Sequence, residues 1–228
     1  MDAAVADVFG FHALQLGLPE LDGLCANRMP HRWLAHEEAE ALAAAEAVGL
    51  PGQPGRVALC CLPEALPFAN DSLDLVVMPH TLEPSEDPHR VLAEAVRVLR
   101  PEGRLVISGF NPLSLWGARH ARLGGGGVAH LPAGRWVAPR RVRDWLQLLS
   151  CEVALEQRGC YGPALASQAW LARWAWLEPA GQRWWAGLGA AYVLVAIKRV
   201  RGMRLIGLAR SARRAGRTAA AVASRRGL

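Results

Sequence analysis

The chain has 228 residues, five cysteines and a formal net charge of +6. This length is enough for one domain with a full hydrophobic core, followed by a tail. Asp2 and Asp7 stand where a secretory signal peptide would be basic, and the cysteines form no CxxC pair of the kind that binds metal. We therefore expect a cytoplasmic protein with reduced thiols, no transmembrane segment and no metal site.

The positive charge is concentrated at the C-terminal end. Residues 198–228 hold ten of the 26 basic residues and no acid, so residues 1–197 carry 16 basic and 20 acidic residues, a net charge of −4. Such a basic segment is usually solvated, but it can also contact nucleic acid or anionic lipid, or fold back on its own acidic domain. We expect a domain over residues 1–198 and a flexible basic tail over residues 199–228.

Strand and helix signals alternate along the first 112 residues. Apolar runs bounded by turn residues predict strands, and apolar residues at helical spacing predict helices. The predicted elements are a helix at 2–10, strands at 11–16, 32–35 and 57–62, a helix at 37–48, a loop at 49–55, and strands at 73–78 and 105–108 joined by a helix that begins at Pro88 and ends before Pro101. A strand, a crossover helix and a parallel strand make a right-handed βαβ unit, so the order predicts an α/β protein with a mostly parallel sheet.

The second half of the chain predicts the rest of the sheet. A helix at 139–149 precedes strands at 152–157 and 190–197. Residues 123–127 contain four consecutive glycines and predict a flexible linker. Residues 164–187 form an aromatic-rich helical insertion with five tryptophans, which can wall a pocket, lie at a membrane surface or pack on the sheet.

Two adjacent cysteines, Cys60 and Cys61, fall in the predicted strand at 57–62. Adjacent thiols are compatible with a redox or metal function. The apolar run around them instead favours buried strand residues.

Five short motifs follow one another between residues 66 and 103. They read Leu-Pro-Phe at 66–68, Asp-Ser-Leu-Asp-Leu-Val-Val at 71–77, His-Thr-Leu-Glu at 80–83, Asp-Pro at 87–88 and Arg-Val-Leu-Arg-Pro-Glu-Gly at 97–103. In this order and spacing they resemble the class I S-adenosylmethionine-dependent methyltransferases of the type-11 group. The stretch 107–117 is similar to a bacterial branch of largely uncharacterised methyltransferase-like proteins.

The resemblance implies a fold, a cofactor and a reaction. The fold is a seven-stranded, mostly parallel Rossmann-like sheet with helices on both faces and an antiparallel seventh strand at its edge. The cofactor is S-adenosylmethionine, and the reaction is methyl transfer to an acceptor that the sequence does not identify. The positions that would contact the cofactor are Gln15, Gly17, Glu37, Leu62, Leu66, Pro79, His80 and Leu82.

Three of these positions depart from the family pattern. Gly17 is the one glycine in a turn that usually has two or three, Gln15 stands where an acid is common, and Leu62 replaces an adenine-binding aspartate. Glu37, or Glu38 beside it, matches the acid that accepts ribose hydroxyls, unless both only begin the following helix. An alternative function therefore stands beside the enzyme, namely a methyltransferase-fold protein that has lost cofactor binding and acts as a binding or regulatory module.

The acceptor is expected at the ends of the fourth and fifth strands, because the carboxyl ends of parallel strands share one rim of the sheet. His80 is the candidate catalytic residue, acting as a general base, unless it only shapes the cofactor pocket. Asn111, Ser114 and Trp116 follow the fifth strand and form the candidate acceptor pocket.

Overall fold

The computed structural model describes residues 1–47, 56–122, 134–162, 173–174 and 176–199. Four sequence predictions lie wholly or partly outside these residues. They are the loop at 49–55, the glycine-rich linker at 123–127, much of the insertion at 164–187 and the tail beyond Arg199.

The described residues form a three-layer α/β arrangement. Its elements in chain order are α1 (Asp2–Ala6), β1 (His12–Leu16), β2 (His31–His36), α2 (Ala39–Ala47), β3 (Arg56–Cys60), β4 (Leu73–Pro79), α3 (Pro88–Val98), β5 (Leu99–Phe110), α4 (Leu115–Arg122), α5 (Pro139–Leu148), β6 (Cys151–Gly159), α6 (Leu177–Trp184), a 3-10 turn (Ala186–Leu188) and β7 (Ala191–Lys198). No helix among the described residues is long and apolar enough to cross a bilayer.

The seven strands form one sheet in the order β3-β2-β1-β4-β5-β7-β6. Strands β1 to β5 are parallel, and β7 runs antiparallel to both β5 and β6. The predicted fold class is confirmed. The predicted edge position of the seventh strand is wrong, because β7 lies between β5 and β6 and leaves β6 at the edge.

Strand β4 is the centre of the core, and all seven of its residues are buried. Alternate side chains point to opposite faces of a strand. Val76 and Met78 accordingly join a cluster with residues of α3 and α5, whereas Leu75 and Val77 join a second cluster with Val5 of α1. The near-continuous apolar run at 73–78 is thus explained by helices on both faces.

Asp87 begins α3 as the sequence predicts, because its side chain accepts the backbone N–H of Arg90 at 3.1 Å and Pro88 takes the first helical position. The helix ends at Val98, and β5 starts at Leu99, six residues before the predicted start at 105.

Two local predictions are wrong. The helix predicted at 2–10 ends at Ala6, and Phe9 lies outside it and is 88% exposed. Cys60 and Cys61 are not buried strand residues, because β3 is an edge strand that ends at the exposed Cys60, and Cys61 follows it and is half-buried. Burial raises the pKa of the Cys61 thiol, and the neighbouring Cys60 raises it further, which disfavours a reactive thiolate there.

Candidate active site

The carboxyl ends of β1 to β5 form one rim of the sheet. Strand pairing aligns Leu16 with Ala35 across β1 and β2, and Pro79 with Ser108 across β4 and β5. The loops that follow these residues therefore emerge side by side. We call the ends of β1, β2 and β3 the β1–β3 side of the rim, and the ends of β4 and β5 the β4–β5 side.

On the β1–β3 side, Gln15 fastens the loop that follows β1. Its side chain is fully buried. The Gln15 Oε1 accepts the N–H of Gly23 at 2.9 Å, and its Nε2 donates to the carbonyls of Leu21 at 2.5 Å and Leu18 at 3.1 Å. The amide is thus engaged within its own loop rather than turned toward a ligand.

The same loop has a strained backbone. Gly17 has φ +72° and Leu18 has φ +31°, both in the left-handed region that favours glycine. The Gly17 N–H donates to Ala35 O at 3.0 Å, and a side chain at Gly17 would press on Thr81, whose hydroxyl donates to Leu16 O at 2.7 Å. Gly17 is therefore required by the packing of this loop against the residue that follows His80.

Glu37 and Leu62 are placed where a ligand on the β1–β3 side could reach them. Glu37 follows β2 and is exposed. Leu62 follows β3 and is 59% exposed, which is unusual for a large apolar side chain. An acid and an apolar surface therefore stand on adjacent strand ends.

Leu66 and Leu82 lie in the core instead. They are 5% and 1% exposed and belong to the cluster around β4. The backbone of Leu66 is clamped by α3, because its N–H donates to Glu94 Oε1 at 2.9 Å and its carbonyl accepts from Arg97 Nη2 at 3.1 Å. Arg97 also donates to Phe68 O at 3.0 Å, which links the Leu-Pro-Phe motif to the motif at 97–103.

On the β4–β5 side, His80 is held by a buried acid. Glu83 is 2% exposed, and its Oε1 lies 3.2 Å from His80 Nδ1 and accepts the N–H of Phe110 at 2.8 Å. His80 has φ +50°, its N–H donates to Ser108 O at 3.1 Å, and its side chain is 19% exposed. Pro79 is buried beside it.

Aromatic rings continue from His80 across this side of the rim. His80 lies 4.3 Å from Phe110, Phe110 stacks on Trp136 at 4.9 Å, and Trp136 stacks on His120 at 4.4 Å. Several buried polar atoms here have no hydrogen-bond partner among the described residues. They are Glu83 Oε2, Ser85 Oγ, Ser108 Oγ and Trp136 Nε1.

A cavity of about 520 Å³ opens beside this stack. Trp136, Arg135 and Arg141 are among the residues that line it. Tyr192 donates its hydroxyl to the carbonyl of Val137, another lining residue, at 3.0 Å, and burial together with the charge of Glu83 raises the pKa of that hydroxyl. Tyr192 is therefore a fixed neutral donor.

All three predicted acceptor residues have hydrogen-bond partners within the protein, and two of them are buried. Asn111 is 1% exposed and donates from Nδ2 to the carbonyls of Gly187 and Gly189, each at 3.0 Å, so it ties β5 to the turn before β7. Ser114 caps α4 by accepting the N–H of Gly117 at 3.0 Å. Trp116 is half-buried, and its Nε1 donates to Gly162 O at 2.7 Å with its ring 6.2 Å from Phe110.

Sequence reasoning missed most of the β4–β5 side. Glu83 belongs to the motif at 80–83, but the motif does not indicate its bond to Phe110, and no sequence pattern indicates the positions of Phe110, Trp136 and Tyr192 at the rim. The spacing of His80 and Glu83 was visible in the sequence. The approach of Trp136 and Tyr192 depends on chain crossings that spacing does not reveal.

The sheet order and the rim define a class of protein. An open parallel sheet with an antiparallel strand inserted next to its last strand, and strand ends that carry candidate cofactor and acceptor contacts, is the architecture of the class I methyltransferases. The family described as "Methyltransferase domain" matches residues 34–107.

Known proteins agree with this class. The chain is 36% identical over 154 residues to the uncharacterized protein YafS of Escherichia coli (strain K12), covering 64% of this chain and 55% of that protein. It is 36% identical over 83 residues to a malonyl-[acyl-carrier protein] O-methyltransferase of Methylococcus capsulatus, covering 36% of this chain and 30% of that protein. The S-adenosylmethionine dependent methyltransferase structure from Mesorhizobium loti matches with a TM-score of 0.61 at 16% identity, over 86% of this chain and 94% of that one.

The chain thus matches the methyltransferase domain over residues 34–107 and has the fold of S-adenosylmethionine dependent methyltransferases. It spans about half the length of YafS and less of the other curated relative. The cofactor of this family is S-adenosylmethionine.

The residues present fit one part of that cofactor better than the other. Exposed Glu37 and Leu62 suit the ribose hydroxyls and the adenine ring. The loop after β1 does not match the amino-acid part of the cofactor. The Gln15 amide is hydrogen-bonded within the loop, Leu18 occupies a position whose φ favours glycine, and Pro19 has no N–H to donate.

Proposed function

We propose that this protein transfers a methyl group from S-adenosylmethionine to an acceptor bound on the β4–β5 side of the rim. The observation that carries the proposal is the placement of exposed Glu37 after β2 and of His80 after β4 on one rim of a methyltransferase sheet. Methyl transfer needs mainly alignment and exclusion of water, since the cofactor supplies an already activated methyl group.

Glu37 and Leu62 would hold the adenosine part of the cofactor. The Glu37 carboxylate would accept the two ribose hydroxyls, and the exposed Leu62 would pack on the adenine face. Leu66 and Leu82 would support this pocket from the core rather than by direct contact, and Gln15 would set the shape of the loop around Gly17. The backbone at Pro79 would face the reacting centre between the two sides of the rim.

His80 would act as a general base for the acceptor. Its ring lies at the rim, hydrogen-bonded to Glu83 and in contact with the tilted ring of Phe110. Of the predicted acceptor pocket, Trp116 would border the acceptor. Asn111 and Ser114 would act indirectly, by fixing the loop that carries Trp116.

A second candidate function is favoured by the loop after β1. The Gln15 bonds and the turn at Leu18 and Pro19 close that loop on itself, which suits a methyltransferase-fold protein that binds no cofactor and serves as a binding or regulatory module. The two functions differ in whether adenosine-containing ligands bind at Glu37.

The test uses S-adenosylmethionine carrying a tritiated methyl group, incubated with purified protein and a bacterial small-molecule extract. The enzyme predicts transfer of tritium to extracted compounds and its loss in His80→Asn, where asparagine tolerates the left-handed φ of this position. Weaker cofactor binding in Glu37→Gln, with unchanged binding in the exposed neighbour variant Glu40→Gln, would locate the ribose contact. No transfer by the wild-type protein in such extracts would favour the second function.

The basic tail is proposed as an electrostatic contact of a cytoplasmic protein. Where the domain meets the tail, Lys198 at the end of β7 and Arg199 contact the rest of the domain: Lys198 Nζ donates to Asp71 Oδ1 at 2.7 Å, and Arg199 pairs with Glu152 at 2.9 Å. The remaining basic residues would contact nucleic acid or anionic lipid. Binding to either should fall steeply with salt and vanish in a chain that ends at Arg199.

A further inference from the structure

The β4–β5 side of the rim holds a carboxylate whose environment is poorly matched to a purely structural role. Glu83 is 2% exposed, its Oε1 accepts the N–H of Phe110, and its Oε2 has no hydrogen-bond partner among the described residues. A neutral glutamine would accept the same N–H without burying a charge, so the bond to Phe110 alone does not account for an acid here.

Among the described residues, the other hydrogen-bonding partner of Glu83 Oε1 is His80. Its Nδ1 lies 3.2 Å from Glu83 Oε1, which is within hydrogen-bond distance. A carboxylate oxygen carries no hydrogen and can only accept in such a bond. The contact is favourable when Nδ1 carries the proton. In a neutral imidazole, Nε2 is then the unprotonated nitrogen and the proton acceptor.

The backbone of His80 is strained. A non-glycine residue at φ +50° persists when the surroundings over-determine it. Three contacts do so here: the N–H bond to Ser108 O at 3.1 Å, the ring contact with Phe110 at 4.3 Å and the bond to Glu83. The strained backbone of His80 and the buried Glu83 carboxylate therefore both fix the position of the His80 imidazole. The His80 side chain is still 19% exposed at the rim.

We propose that Glu83 is a positioning residue that fixes the Nδ1–H tautomer of His80, and that the methyl acceptor is consequently a nucleophile that must lose a proton. This rests on the methyl transfer proposed above. The acceptor is a hydroxyl, a phenol, a thiol or an N–H compound. A carboxylate is excluded, because it attacks as an anion and needs no base.

The proposed methyl transfer moves one proton to His80 and one methyl group to the acceptor. The acceptor's proton passes to His80 Nε2, the acceptor's electron pair forms the bond to the methyl carbon, and the bond from that carbon to sulfur breaks with its electron pair left on a neutral thioether. The imidazolium that forms donates from Nδ1 to the Glu83 carboxylate, which stabilises its charge.

The tautomer can be measured without any substrate. The ¹⁵N shifts of the two imidazole nitrogens distinguish the two tautomers, at a pH of about 8.5 where an ordinary imidazole is neutral. The wild-type protein should show Nδ1–H for His80, and Glu83→Met, which keeps the side-chain volume, should shift it toward Nε2–H. Glu86→Met, which removes an exposed acid from the same loop, should leave the tautomer unchanged. An Nε2–H tautomer in the wild-type protein overturns the proposal even if the variants do not fold.

The acceptor class is tested on the tritiated products, because methyl esters of carboxylates release methanol in alkali, whereas methyl ethers, thioethers and amines do not. We expect base-stable label that falls at least tenfold in Glu83→Met while cofactor binding is retained. Base-labile label in the wild-type products contradicts the assigned acceptor class but not methyl transfer itself. Absence of any label contradicts methyl transfer, and the tautomer measurement still decides the role of Glu83.

Discussion

Replacing Gln15 by glutamate would test whether the loop after β1 depends on the amide of this side chain. The substitution keeps the shape and exchanges an N–H donor for an acceptor. The carboxylate could still accept the N–H of Gly23, but the carbonyls of Leu18 and Leu21 would each keep only a backbone N–H donor and would face an oxygen in place of Nε2. An acid is also common at this position in the family, so the variant restores the family pattern.

The expected cost follows from the bonds lost. Each hydrogen bond lost costs about 0.5–1.5 kcal/mol, because both carbonyls keep a backbone donor, and the shorter bond, at 2.5 Å from Nε2, contributes the larger part. A buried charge adds to this, while water that enters the loop removes some of it. We expect Gln15→Glu to lower the free energy of unfolding by about 3–5 kcal/mol at neutral pH.

Urea unfolding followed by circular dichroism measures this change. Gln147→Glu is the matched control, since Gln147 is exposed on α5 and should change stability by less than about 0.5 kcal/mol. If Gln15→Glu unfolds with the wild-type free energy, the loop is open in solution and the reasoning that it is closed by Gln15 is refuted.

Three other variants probe the rim and its support. Leu18→Gly should leave the unfolding free energy within about 1 kcal/mol, because relief of the left-handed strain offsets the added freedom of the unfolded chain; it should tighten S-adenosylmethionine binding in calorimetry, and unchanged affinity would indicate a closed pocket. Gly117→Ala should destabilise by about 1–3 kcal/mol, since the new methyl group would collide with the carbonyl of Pro112; Gly162→Ala, with open space around it, is the control, and equal stabilities would contradict the packing. Burial raises the pKa of the Asp74 carboxyl. The hydrogen bonds from the N–H groups of Phe11 and His12 and the charge of Arg100 have the larger, opposite effect, so the pKa lies below its usual range. Asp74→Asn should therefore cost about 1–3 kcal/mol at neutral pH and progressively less below about pH 4, as the wild-type carboxylate is protonated; a difference that grows on acidification would reverse the sign of this linkage.

The sequence was sufficient for the fold because the informative patterns were local. The apolar run at 73–78 and the capped helix after Asp87 specify a βαβ unit, and repeated units specify a parallel sheet. The order of the last two strands was not accessible in the same way. Insertion of β7 between β5 and β6 depends on pairing between residues about 90 positions apart, such as Val106 with Val195.

The site was predictable only in part. Position along the chain located the rim, and Glu37 and His80 lie there. Position did not show which polar side chains face outward. The Asn111 amide donates to two carbonyls of a turn 76 and 78 residues later, and the Gln15 amide bonds within its own loop. Neither amide was therefore recognisable as structural from its neighbours in sequence.

Binding of S-adenosylmethionine to the wild-type protein, measured by isothermal titration calorimetry, tests the central claim most directly. The account predicts saturable heat with one site per chain and weaker binding in Glu37→Gln than in Glu40→Gln. No heat at millimolar S-adenosylmethionine, from a protein whose circular dichroism shows it folded, would contradict methyl transfer and leave the cofactor-free binding module as the function of this fold.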